Sequence, residues 1–153
     1  MMHKFSTPSF AFLTLILIAW VQPVHADDDD FQRLARARSL RCTFGPGAVG
    51  DWRAGTVKLV NDRYDATVQF DSINVKSGSA RVIGNIGAGD IAVLLTRVGL
   101  TFMDTRETFE TVTITTVFGR KAKSGDYIAV TSRHFAALVP TPSQYHGTCQ
   151  IWE

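Results

Sequence analysis

The stretch Ala66-Thr67-Val68-Gln69-Phe70-Asp71 decides the fold. Ala66, Val68 and Phe70 alternate with Thr67, Gln69 and Asp71, a period of two that describes a strand with one apolar face turned inward and one polar face turned to water. Working outward from it, comparable segments run from Leu40 to Phe44, Thr56 to Val60, Ser79 to Ile83, Ile91 to Thr96, Gly99 to Asp104, Thr108 to Phe118, Tyr127 to Ser132 and Gly147 to Trp152. They are rich in β-branched and aromatic residues and are separated by turn formers. Eight or nine short strands at this spacing predict an all-β domain, an antiparallel β-barrel or barrel-like sandwich. The alternation places Val68, Phe70, Val82, Ile83, Leu94, Leu100, Phe102, Ile114, Phe118, Ile128 and Val130 inward. Adjacent Val82 and Ile83 cannot share one face of a regular strand, so one of them must meet a bulge or a covering element. One short N-terminal helix, Phe31 to Arg38, is expected, and eight residues are marginal alone.

The start of the chain has a different logic. Lys4 supplies a positive charge, Phe10 to Val21 an apolar run, and Val24-His25-Ala26 a small-residue cleavage pattern, together the signature of an export signal. The run is shorter than the roughly 20 apolar residues that a membrane span needs. The expected organisation is a cleaved signal at 1–26, a polar extension at 27–38 and a single β domain at 39–153. Its destination is secreted or periplasmic, with no transmembrane segment after cleavage. Removing the signal and its Lys4 leaves 127 residues with 15 basic and 14 acidic side chains. That even balance argues against nucleic acid or an anionic membrane as partner. Four consecutive aspartates, Asp27 to Asp30, repel one another and read as a solvated tail.

Two cysteines survive cleavage, Cys42 near the start of the β domain and Cys149 near its end. An even pair in an exported chain predicts a structural disulfide joining the first strand to the last. A metal set combining both cysteines with His134 and His146 is the alternative, but it lacks the close paired spacing that preorganises such sites. No metal and no cofactor are expected.

Motifs for catalysis are sparse. Gly84-Asn85-Ile86-Gly87-Ala88-Gly89 is glycine-rich, yet a strand follows it rather than the helix a phosphate loop needs, so it reads as a turn. The threonines of Thr111 to Phe118 hold one face until Thr116 follows Thr115, a phase slip that suggests a bulge or a strand end buried on both sides, and the threonine row itself reads as a solvated strand face. Ser143, His134 and Asp126 make a nominal triad without a G-x-S-x-G elbow. Asp104, Glu107 and Glu110 sit where a strand end would be charged for solvation alone.

The densest chemistry lies near the C-terminus, where Arg133 and His134 precede Pro140-Thr141-Pro142-Ser143-Gln144-Tyr145-His146. Arg133, His134, Tyr145 and His146 form the candidate binding patch near the disulfide, with Arg133 as a bidentate donor and Tyr145 as a stacking face for an anionic or glycan-like partner. The alternative is that Arg133 and Tyr145 brace the barrel. No residue is assigned a catalytic role.

The order Cys42-Thr43-Phe44, Trp52 with Gly55, Ala80-Arg81-Val82-Ile83-Gly84-Asn85, Leu100-Thr101-Phe102, Thr115-Thr116-Val117-Phe118, Ser132-Arg133-His134 and Pro142-Ser143-Gln144-Tyr145 to Cys149 resembles a group of small exported bacterial proteins of unknown function. That resemblance implies no activity. A cysteine-pinned β-barrel is also similar in general shape to small periplasmic inhibitors of lysozyme, a likeness of fold alone. The expected function is therefore that of an exported, non-enzymatic binding or envelope-associated barrel whose partner is an unidentified envelope or extracellular protein or glycan. The alternatives are a small secreted hydrolase using His134 or His146, and an inhibitor of a secreted hydrolase that inserts the Pro140 to His146 loop.

Overall fold

The computed structural model describes residues 26–52, 55–85, 87–105, 110–136 and 139–153; the signal segment at 4–25 lies outside them, as do Glu107 and Thr108. Eight strands follow one helix: α1 (Ala26–Ala35), β1 (Leu40–Asp51), β2 (Lys58–Asn74), β3 (Ser79–Gly84), β4 (Gly87–Leu95), β5 (Gly99–Asp104), β6 (Thr111–Lys121), β7 (Tyr127–Phe135) and β8 (Thr141–Ile151). Each strand pairs antiparallel with the next and β8 pairs with β1, which closes the sheet into a barrel. The segments read separately at Thr56 to Val60 and Ala66 to Asp71 fall largely in one strand, β2, because β1 pairs with it from Leu40 opposite Phe70 to Asp51 opposite Lys58; inside–outside alternation begins only at Tyr64, and Lys58 to Arg63 are all exposed. The glycine cluster lies at the β3–β4 connection, where Gly84 ends β3 opposite Gly87 and Gly87 to Gly89 begin β4.

Cys42 lies directly opposite Cys149 in the β1–β8 ladder, with Cα atoms 4.0 Å apart, and the two are disulfide-bonded. The bond staples the seam at which the barrel closes. Both cysteines are fully buried, and because both sulfurs are taken up in the bond neither offers a thiolate to a metal.

Even-numbered residues of β1 and of central β2 face inward, as the opening hexapeptide predicts: Leu40, Cys42 and Phe44 from β1 meet Val68 and Phe70 from β2. Phe70 stacks on Phe102 of β5 with ring centroids 4.0 Å apart. Val82 and Leu100 are also buried. The expected inward set fails on β4, β6 and β7, where the register is slipped by one residue. Val93 is buried while Leu94 is 52% exposed. Thr115 and Val117 are buried while Ile114 and Phe118 are half-exposed on the outside. Tyr127, Ala129 and Thr131 are buried while Ile128 and Val130 are outside, and Ile83 likewise stands outside Val82.

The physical reason is that these strands carry apolar residues on both faces, so hydrophobicity sets no phase. The inner wall also tolerates threonine, since Thr115 and Thr131 share a buried hydroxyl hydrogen bond of 2.8 Å. The threonine face of β6 thus points into the barrel rather than to solvent. The register shift in this strand lies beyond Val117, not at Thr115-Thr116.

One end of the barrel is closed by α1. Leu34 is fully buried and Ala37, just beyond the helix, is nearly so. Phe31 lies across Gly119 of β6, where a Cβ would overlap its ring and backbone. The Tyr127 hydroxyl donates to the Asp30 carbonyl (3.1 Å), and Lys121 Nζ lies 2.6 Å from Asp30 Oδ1. The Arg38 guanidinium donates to the Ile73 carbonyl while the Ile73 amide donates to the Arg38 carbonyl. The polar extension expected at 27–38 is therefore part of the folded unit. Its helix spans Ala26–Ala35 rather than Phe31 to Arg38, and Phe31 and Leu34 of the helix, with Ala37 just beyond it, face the barrel. Among the described residues, no helix is long and apolar enough to cross a membrane.

Candidate functional site

Among the described residues, the opposite end of the barrel is open. Here β3, β5 and β7 end and β6 and β8 begin, and the interior widens into a cavity of about 80 Å³. An eight-stranded barrel has an interior just wide enough to be filled by side chains or to hold one small ligand, and this one is filled at the α1 end and hollow at the other. The cavity has two kinds of wall. Val68, Phe70, Val82, Ile91 and Phe102 form an apolar floor, whereas Thr113, Thr115, Thr131, Asp104 and Arg133 from β5 to β7 bring hydroxyls and charge.

A long hairpin stands beside this opening. The β1–β2 ladder continues from Pro46 opposite Arg63 to Asp51 opposite Lys58, whereas the described β2–β3 pairing begins only at Gln69. The register shift between Phe44 and Pro46 marks a bulge, a device that bends a strand and increases its twist. The arm is held on one side by β8, through Gly47 opposite Tyr145 and Val49 opposite Ser143. Gly47 has to be glycine, because a Cβ there would overlap the Gln144 carbonyl and the Tyr145 ring.

Tyr145 thereby turns into the barrel, 5% exposed, and its hydroxyl donates to Asp62 Oδ2 at 2.7 Å. Burial first, and then the bond to Asp62, raise the phenol above its ordinary pKa. Its ring lies 5.2 Å from that of Tyr64, and the Arg133 guanidinium carbon lies 5.1 Å over the Tyr64 ring, a cation–π contact at the rim.

Strand alternation divides the patch expected from the sequence. Arg133 and Tyr145 face inward at the cavity end, whereas His134 and His146 are exposed on the outer surface. There the two histidines border a shallow groove with Trp52, Pro142 and Gln144. The inward pair is close, since Tyr145 and Tyr64 are ring neighbours and Tyr64 carries Arg133. Tyr145 is committed to Asp62, and the aromatic face beside Arg133 belongs to Tyr64. Pro140 to His146 is not a protruding loop, because β8 starts at Thr141 and pairs with β7 from Phe135 opposite Thr141 onward.

The nominal triad is dispersed as well. Asp126 lies at the α1 end, where it accepts hydrogen bonds from Ser124 and Gln150, and eight residues of strand separate it from His134 by roughly 26 Å. Among the described residues, no three histidine, cysteine or acidic side chains cluster as metal ligands would.

Tyr64, Asp62, Asp104 and the inner threonines also belong to this end of the barrel, although the sequence pattern alone does not single them out as site residues. A signal for two of them exists in the sequence. Tyr64 continues the even-numbered series Ala66, Val68, Phe70, and Asp104 continues Leu100, Phe102, so extending each apolar series by one step toward the strand end points both side chains inward. No known protein family matches this chain, and neither a curated protein nor a solved structure matches it.

Proposed function

We propose that this chain is an exported, non-enzymatic binding protein that takes its ligand at the open end of the barrel. The observation that carries the reading is the hollow beside Arg133: a guanidinium placed at the rim of a cavity whose floor is apolar. A half-buried guanidinium offers several fixed donors to an anionic group, and Tyr64 supplies the flat face against which it is set. Export fits the buried Cys42–Cys149 disulfide, since such bonds persist in oxidising compartments. It also fits the signal-like segment at 4–26 and the resemblance to small exported bacterial proteins. A secreted or periplasmic destination belongs to the same proposal.

Native mass spectrometry of the protein purified from the compartment in which it resides tests this reading. A bound species should accompany the wild-type chain and be lost from Arg133→Ala and Tyr64→Ala variants that keep the native circular dichroism. Retention of the same species by both variants refutes the site. A chain found in the cytosol with its N-terminal segment uncleaved refutes export.

A second reading is favoured by the hairpin arm, where Leu59 is 77% exposed and Val57 and Trp52 are also exposed. Apolar side chains on a projecting arm suit contact with a protein partner, and this moves the inhibitor reading from residues 140–146 to the β1–β2 hairpin. Leu59→Asp abolishes capture of a partner in that case and leaves ligand binding in the barrel intact.

A further inference from the structure

The cavity holds opposite charges together. In the β5–β6–β7 ladder Asp104 is opposite Thr113, and Thr113 is opposite Arg133, so the three side chains share the inner face in one row. Directly opposed Cβ atoms lie about 5 Å apart, which puts the Cβ atoms of Asp104 and Arg133 roughly 10 Å apart with a hydroxyl between them. Asp104 and Arg133 line the same cavity as the apolar floor of Val82, Ile91 and Phe102.

A ligand with only a negative charge would meet the Asp104 carboxylate, and one with only a positive charge would meet the Arg133 guanidinium. Like charges brought together in a partly desolvated site oppose binding, whereas a neutral pair of opposite charges enters with each charge compensated. Asp104 is already engaged within the protein, but an ionised carboxylate offers about four lone-pair positions and can take a further donor.

Resting on the mouth as the binding site, we infer that the ligand is a free α-amino acid with a short branched aliphatic side chain. Its carboxylate faces Arg133, its ammonium faces Asp104, and its side chain enters the apolar floor. The size follows from the cavity. About 80 Å³ is several times the roughly 10–15 Å³ that one water needs, and it is far below the roughly 300–1,000 Å³ of a pocket for a drug-sized molecule. The hollow therefore takes a side chain of a few heavy atoms and rejects an indole.

Isothermal titration of the purified mature chain tests the inference. Leucine and valine should bind. Isocaproate, which is leucine without its ammonium, and isoamylamine, which is leucine without its carboxylate, should each bind roughly 10- to 100-fold more weakly, the worth of one hydrogen bond to a charged group. N-acetyl-leucine and leucine amide stand for the two ends of a peptide and should show the same losses, which separates a free amino acid from a chain terminus. Asp104→Asn should erase the preference for leucine over isocaproate, and Arg133→Gln should erase the preference for leucine over isoamylamine. Because the ligand series is run on the wild-type chain, a variant that fails to fold does not blunt the test.

Isocaproate binding as tightly as leucine overturns the amino-acid assignment while leaving the mouth as the site. Absence of binding by every member of the series also overturns the assignment. The wider reading falls with it only if Val82→Trp, which fills the floor, leaves the species seen by native mass spectrometry still bound.

Discussion

Replacing Cys42 and Cys149 together by alanine removes a cross-link between residues 107 apart in sequence while leaving the strands that it joins paired. A closed loop of this length restricts the unfolded chain by roughly 4 to 5 kcal/mol in the chain-entropy treatment. In the folded state the change is smaller. β1 and β8 remain paired from Leu40 opposite Ile151 to Val49 opposite Ser143, with one register shift between Phe44 and Gly47, so the seam keeps its ladder without the sulfurs. Both cysteines are fully buried, and truncating them leaves a small void of order 1 kcal/mol.

The expected net loss is about 2 to 5 kcal/mol, with the barrel retained in water if the parent stability exceeds that loss. Urea unfolding followed by tryptophan fluorescence reads it. At a slope of about 2 kcal/mol per molar urea, the midpoint falls by roughly 1 to 2.5 M. The slope itself should rise, because an uncrosslinked unfolded chain exposes more surface. A loss below about 1 kcal/mol at unchanged slope would refute the reasoning, and so would two free thiols by mass spectrometry of the native, non-reduced protein.

Leu34→Ala should cost about 2 to 5 kcal/mol in the same assay, since the side chain is fully buried beneath α1; a cost near zero means that the helix is not part of the cooperative unit. Thr115→Val should leave the Thr131 hydroxyl buried and unpaired at a cost of about 1 to 3 kcal/mol, whereas Thr115→Val with Thr131→Val should be nearly neutral; additive losses in this double-mutant cycle contradict a direct bond. Burial raises the phenols of Tyr127 and Tyr145 above the ordinary tyrosine range, with Asp62 adding to the shift of Tyr145. An acid raised in the folded state contributes stability that is complete below its unfolded pKa and is lost as pH climbs through the folded value. Stability from these two residues should therefore hold to about pH 10 and fall above it. Tyr145→Phe, which removes the donor to Asp62, should shrink that fall; an unchanged alkaline profile in Tyr127→Phe and Tyr145→Phe alike would exclude this origin.

How far the fold is legible depends on whether a strand has two different faces. The central part of β2 does, so Ala66 to Asp71 gives the period, the register and the core in one reading. β6 has apolar Ile114 and Phe118 on one face and Val117 with threonines on the other, and hydrophobicity alone then favours the wrong face. What reverses the choice is long-range: Thr115 becomes acceptable inside because Thr131 arrives opposite it from β7, and no local property of either strand announces the partner. The disulfide is legible for the opposite reason. Two cysteines in a chain that begins with a signal-like segment leave one pairing, and its position on the first and last predicted strands implies closure of the sheet. The helix is underestimated because a run of aspartates looks like a solvated tail until Asp30 meets Lys121 and Leu34 finds the barrel's end.

The site shows the same dependence on pairing. Arg133, His134, Tyr145 and His146 cluster in sequence, and chain proximity treats all four as equivalent. Once β7 and β8 pair, Arg133 and Tyr145 turn inward and the histidines turn out, so a feature that looks like one patch becomes an interior rim and an exterior groove. The polarity of the rim then follows from how the barrel is closed. Because α1 fills one end with Leu34, the interior near it must be apolar, and Leu100, Val117 and the disulfide occupy that half. Among the described residues no helix covers the other end, and there Asp104, Thr113 and Arg133 are held at half-burial, where a polar group keeps part of its hydration. A gradient from apolar to polar lining along a single barrel axis places a charged rim above an apolar floor, and that conjunction is the basis on which a small ligand is proposed for this end.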